Sequence, residues 1–189
     1  MVGWESPPEA DAIRLFEFNP GVASFCSQPS HEVYHDANGK ACKFVPDFRV
    51  DFHHGGALWV EVKSDADIAY GPTAFTLGLK AMAMQAQGRN YRVLSSSEIR
   101  KAPRFANLKQ LERHAKRPLP TEAVESLDAL NPAAIYRVEE LVSVLGAEAM
   151  VYRAIAFGSL RTDLLSPLGA ESLVWHPHNA EAGDGSFFI

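Results

Sequence analysis

Residues 47–63 constrain the fold of this chain more tightly than any other stretch. From Asp47 to Phe52 polar and apolar residues alternate without a break. Successive strand side chains point to opposite faces, so Asp47, Arg49 and Asp51 share one face and Phe48, Val50 and Phe52 the other. His53-His54-Gly55-Gly56 reads as a turn, and in the strand after it Val60 and Val62 face one way while Trp59, Glu61 and Lys63 face the other. A slip of one residue in pairing would mix buried and polar faces. The registers that keep apolar opposite apolar set Asp47 opposite either Lys63 or Glu61. Pattern alone therefore gathers Asp47, Glu61 and Lys63 at one end of a β-hairpin.

Two carboxylates and an ammonium in such a cluster suit metal-dependent phosphodiester hydrolysis. Mg²⁺ takes few protein carboxylates and keeps its other positions for water and phosphate oxygens; Mn²⁺ is the alternative ion. Lys63 is then placed to orient an attacking water or to balance charge beside it. The plain alternative is a surface strand whose Asp, Glu and Lys form cross-strand ion pairs for stability.

The rest of the chain reads as a mixed α/β domain with a smaller unit behind it. Ser6-Pro7-Pro8-Glu9 has the form of a helix start, with Ser6 as N-cap, Pro7 at the first position and Glu9 completing a capping box; the helix runs to about Glu17. Strand-like runs follow at 31–35, 41–52 and 58–63, the first two separated by the hairpin signal Asn38-Gly39. A helical period over 73–87 and a buried strand over 91–95 imply a parallel crossover. Residues 97–116 read as helical, and Pro118-Leu119-Pro120 breaks the pattern. Beyond Pro132, two helices (133–145 and 148–157) and strands at 160–164 and 173–175 suggest a winged helix. The expected domains are thus 1–117 and 118–189.

The net charge of −5 hides its distribution: residues 1–79 carry −6, residues 80–117 carry +8 and residues 118–189 carry −7. The basic block is either a DNA footprint, through Arg100, Lys101 and Arg104, or a solvated helix face. Lys80, on the helix after the hairpin, is placed to reach a phosphate. Cys26 and Cys42 are too few for a structural zinc site and read as two buried small hydrophobes. His53 and His54 belong to a turn and read as solvent groups, and Tyr34 and Trp59 as packing residues. The first residues lack a basic segment followed by an apolar one, and no later apolar run is membrane-length, so a cytoplasmic protein is expected.

Phe44-Val45-Pro46-Asp47-Phe48-Arg49-Val50, followed by Trp59-Val60-Glu61-Val62-Lys63, resembles the core of the TnsA-type transposon endonucleases, members of the PD-(D/E)xK nucleases. The likeness extends upstream to Glu9 and Leu15-Phe16-Glu17-Phe18-Asn19-Pro20, and downstream to Tyr91-Arg92-Val93-Leu94, Glu98-Ile99-Arg100 and Phe105-Ala106-Asn107-Leu108. It covers residues 5–117. It implies a restriction-endonuclease-like mixed sheet flanked by helices and a small C-terminal winged-helix-like domain. It also implies Glu9, Asp47, Glu61 and Lys63 as the catalytic group, with Asp47, Glu61, Val62 and Glu9 around the metal. The activity implied is Mg²⁺-dependent cleavage of DNA at transposon ends beside a transposase subunit, with an AAA+ ATPase as regulator; no phosphate-binding Gly-x-x-x-x-Gly-Lys loop occurs in this chain, so any ATP dependence rests on another protein. Two rivals share the residues: a self-sufficient phage, repair or restriction nuclease, and a nuclease-like DNA-binding or assembly module without activity.

Overall fold

The computed structural model describes residues 6–179, 181–183, 185 and 187. Its first helix, α1 (Pro7–Glu17), starts where the capping pattern requires. The Ser6 hydroxyl donates to the Glu9 carboxylate at 2.7 Å and accepts the Glu9 N–H at 3.4 Å. Ala12, Leu15 and Phe16 form its buried stripe.

Five strands follow: β1 (Val22–Ser27), β2 (Glu32–His35), β3 (Ala41–Phe44), β4 (Phe48–Phe52) and β5 (Ala57–Lys63). The run 41–52, expected as one strand, is two strands in two sheets. Ala41–Phe44 pairs with β2 across the turn containing Gly39, whose φ of +77° suits glycine. Pro46 offers no N–H to continue that ladder, and after Asp47 the chain pairs with β1 on one side and β5 on the other. β1 itself, read from sequence only as a short apolar stretch, is an antiparallel neighbour of β4.

After β5 come α2 (Asp65–Ala69), α3 (Gly71–Ala86), β6 (Asn90–Ser95) and α4 (Ser96–Ile99). β6 lies parallel to β5, as the crossover predicts, giving a mixed sheet of order β1-β4-β5-β6. Phe48 and Val50 of β4, Val60 and Val62 of β5 and Leu94 of β6 are buried. The Phe16 ring of α1 meets Phe48 edge-on at 5.2 Å on that face. α3 serves the opposite face, through the contacts described below.

The second part contains α5 (Arg104–His114), α6 (Thr121–Asp128), β7 (Ile135–Arg137), α7 (Val138–Leu145), α8 (Glu148–Ala156), β8 (Arg161–Thr162) and β9 (Leu173–Trp175). Its strands form an antiparallel sheet of order β7-β9-β8. Three expectations change here. The helical reading of 97–116 breaks at Ala102-Pro103, because proline cannot continue a helix and disfavours it in the residue before. Residues 135–137 are strand, since β9 supplies a partner for this β-branched and aromatic run; α7 then begins with the Glu140 carboxylate accepting the Arg137 N–H at 2.7 Å. α6 follows the Pro118-Leu119-Pro120 break, in a stretch to which the sequence pattern assigns no element.

The chain divides into two compact units: Met1–Glu17 with Val22–Lys101, and Phe18–Gly21 with Ala102–Ile189. The division after Lys101, rather than after Arg117, follows from α5: Leu108 and Leu111 are buried and the helix packs on α8. Within the second unit, buried Asn107 donates to the carbonyls of Leu164 and Ser166 at 2.9 and 2.8 Å and accepts the Leu168 N–H at 3.1 Å. The cysteines do not behave as core residues: Cys26 is exposed and Cys42 half-buried. Among the described residues no helix is long and apolar enough to cross a membrane.

Candidate functional site

Asp47 stands just before β4, and the register that pairs Phe48 with Val60 carries it to the level of Glu61. Of the two registers the alternation allows, this is the Glu61 one. The placement is reinforced on both sides: the Gln28 N–H donates to the Asp47 carbonyl at 2.9 Å, and Asp47 Oδ2 accepts the Val62 N–H at 2.6 Å. Val62 thus meets Asp47 through its main chain while its side chain enters the core.

Glu61 is a buried carboxylate, 3% exposed, and three side chains converge on it. Lys80 Nζ lies 2.7 Å and Lys63 Nζ 3.2 Å from Oε1, and the Tyr91 hydroxyl donates to Oε2 at 2.9 Å. Burial alone would raise the Glu61 pKa. The hydrogen bond and charge of Lys80, then Lys63 and Tyr91, outweigh it and hold the group below the usual carboxylate range. Lys63 is itself held above the ordinary lysine value: burial opposes its charge, but Glu61 and Asp47 favour it more strongly. Tyr91 is pushed up by burial and by the charge of Glu61, so its proton stays on.

Asp47 shifts the other way. Burial, with the like charges of Glu61 and Glu9, pushes it up to about 6 against the pull of the Val62 N–H and of Lys63. Burial is the largest cause of this shift, and the Val62 N–H and Lys63 offset it only in part. Glu9 therefore acts on the site as a nearby charge while also serving the α1 cap through Ser6. Among the described residues no three His, Cys, Asp or Glu side chains are grouped to hold a metal ion. Asp47 and Glu61 remain a two-carboxylate site, which suits Mg²⁺ with water and phosphate completing its shell. Beside Glu61, Lys63 and Lys80 opens a hollow of about 260 Å³, walled on the α3 side by Pro72, Thr73 and Thr76.

Lys80 belongs to the site itself. It sits on the buried stripe of α3, between Leu77 and Met84 at helical spacing, with its ammonium 4.8 Å from the Phe44 ring centre. A lysine interrupting an apolar stripe was the sequence signal for this. Tyr91 gave no such signal, since a tyrosine in a buried strand is ordinary.

The basic block is divided between the units, and in the first unit most of it is paired. Arg89 pairs with Glu32, Arg92 with Glu98, and Arg100 Nε with Asp11 at 2.7 Å. Lys101 is exposed, but Arg104, expected on a DNA surface, is 8% exposed and lies 5.4 Å from the Phe187 ring in the second unit. In that unit Lys109, Arg113, Lys116 and Arg117 are exposed. His53 and His54 lie in the exposed β4–β5 turn, and Tyr34 packs edge-on against Phe44. Trp59 packs with the guanidinium groups of Arg49 and Arg89, 5.3 and 5.1 Å from its ring centre. Comparison with protein-family models and with curated proteins finds no match.

Proposed function

We propose that the first unit is a restriction-endonuclease-like domain that hydrolyses DNA phosphodiester bonds with Mg²⁺, and that the whole chain works as a transposon-end nuclease beside a transposase subunit. One observation carries the nuclease reading: Asp47, Glu61 and Lys63 converge at one end of the β4–β5 hairpin, with an open hollow beside Glu61 and Lys63. Asp47 and Glu61 would hold the ion. Bound there, Mg²⁺ supplies polarisation of a phosphoryl oxygen and a lowered pKa for water. Lys63, kept protonated by its two carboxylate neighbours, orients the attacking water and offsets negative charge on the phosphate. Glu9 tunes the site through its charge.

The transposon assignment rests on the resemblance of residues 5–117 to TnsA-type endonucleases. It is supported by the order of elements in the second unit: two helices, a strand, two helices and two strands closing an antiparallel sheet β7-β9-β8, which suits a winged-helix-like domain. The partners proposed are DNA, a transposase subunit and an AAA+ ATPase. The test is cleavage by the pure full-length protein in Mg²⁺ or Mn²⁺, with and without a transposase subunit. Weak cutting that a transposase directs to end sequences supports the proposal; vigorous cutting of generic DNA by the protein alone points to a self-sufficient nuclease.

A second reading, a nuclease-like module without activity, draws on a specific observation: Glu61 is already neutralised by two ammonium groups and a hydroxyl. Inertness with metal bound and partners present would select it.

A further inference from the structure

Glu61 has more cationic partners than one carboxylate needs. Both Lys63 and Lys80 contact Oε1, and Tyr91 occupies Oε2. The two lysines differ in how they are held. Lys63 lies two residues from Glu61 on the same strand and is also drawn by the charge of Asp47. Lys80 reaches across from α3, nineteen residues away in sequence, on a four-carbon stem with its side chain 13% exposed. Its stem enters through the buried stripe between Leu77 and Met84, where a charged group is costly without a partner.

A divalent cation binding through Glu61 meets both ammonium groups at one oxygen. Like charges at such separations repel strongly in a partly buried site. Both lysines line the hollow beside Glu61, but Lys63 is also drawn by the charge of Asp47, whereas Glu61 is the carboxylate that Lys80 contacts, so Lys80 is the one with room to move and less to hold it. Resting on the metal-dependent nuclease reading above, we propose that Lys80 is an exchangeable counter-ion: it holds Glu61 in place before metal binds, and metal binding displaces it into the hollow, where it presents its ammonium to a substrate phosphate. Lys80 thus positions Glu61 before metal binds and contacts the substrate phosphate afterwards. Lys80 keeps a buried carboxylate ionised and oriented without metal, and couples metal binding to the arrival of an anion. Metal alone is then bound less tightly than the two carboxylates would allow.

The test uses the full chain and Mn²⁺ alone, titrated by calorimetry without DNA. Lys80→Met removes the competing charge while keeping the apolar stem, and should bind Mn²⁺ at least about tenfold more tightly than wild type. Lys80→Arg, which retains a cation, should stay close to wild type. Lys80→Gln repeats the test should the methionine collapse onto Phe44. In parallel, side-chain ¹⁵N spectra of lysine should show the Lys80 ammonium protons exchanging faster with water on adding Mg²⁺, as a released ammonium does and a retained ion pair does not. Mn²⁺ binding that is unchanged or weaker in both neutral variants would overturn the counter-ion proposal while leaving the nuclease reading standing. No Mn²⁺ binding by wild type or any variant would remove both.

Discussion

Asp47 accepts a 2.6 Å hydrogen bond from the main-chain N–H of Val62, fifteen residues ahead in sequence. This bond continues the β4–β5 pairing past the last ladder pair and sets the Asp47 carboxylate beside Glu61. It also ties the candidate site to the packing of the sheet, since Val62 belongs to the core face of β5.

Replacing Asp47 by alanine should abolish metal-dependent cleavage, lowering the nicking rate of supercoiled plasmid by at least about 10²-fold. Lys63→Ala should lose cleavage to a similar degree but still bind Mn²⁺ in calorimetry, because an ammonium is not a ligand. Equal loss of metal binding in both variants would mean that Lys63 shapes the site rather than serving the attacking water.

The raised pKa of Asp47 has a consequence for stability. Its ordinary value of 3.8 rises to about 6 in the fold, so the folded chain binds this proton more tightly than the unfolded one. The resulting stabilisation is full below the unfolded value and is lost as pH rises through about 6. Asp47→Asn cannot ionise and escapes that loss. Its stability relative to wild type should therefore be least favourable near pH 4, increase between pH 4 and 6, and level off above about pH 7; urea denaturation across this range measures it. A relative stability that falls with rising pH would contradict the assignment. Saturating Mg²⁺ at pH 7.5 should raise the wild-type melting temperature more than that of Asp47→Asn.

Arg104 should behave as a structural residue. Buried beside Phe187 in the second unit, it should cost about 1–3 kcal/mol on replacement by alanine and leave the salt dependence of DNA binding unchanged. Lys101, exposed, is the better probe of a phosphate contact: Lys101→Ala should flatten the log–log slope by about 0.9 if it touches DNA. Filter binding at several salt concentrations separates the two.

Asn107 is the polar anchor of the second unit, bonded to two carbonyls and one N–H of residues 164–168. Asn107→Ala leaves the Leu164 and Ser166 carbonyls and the Leu168 N–H without this partner, and should destabilise the unit by about 1–3 kcal/mol. Hydrogen exchange should show the loss first at Leu168, whose N–H donates to Asn107.

What the sequence determined by itself was local. Strand alternation placed Asp47 on one face with Arg49 and Glu61 on one face with Lys63, because the side-chain period of a strand is two whatever it packs against. The capping pattern started α1 at Pro7, and the hairpin and crossover signals followed from turn chemistry and periodicity. Tertiary structure decided what depends on distant partners. The stretch 41–52 became two strands because β2 and β1 each claimed part of it; residues 135–137 became strand because β9 lay ready to pair with them. Lys80 and Tyr91 joined Glu61 from nineteen and thirty residues away, and the basic block came apart between two units. No periodicity carries that information: a side chain's charge is written in the sequence, but its partner is chosen only when helices and strands pack.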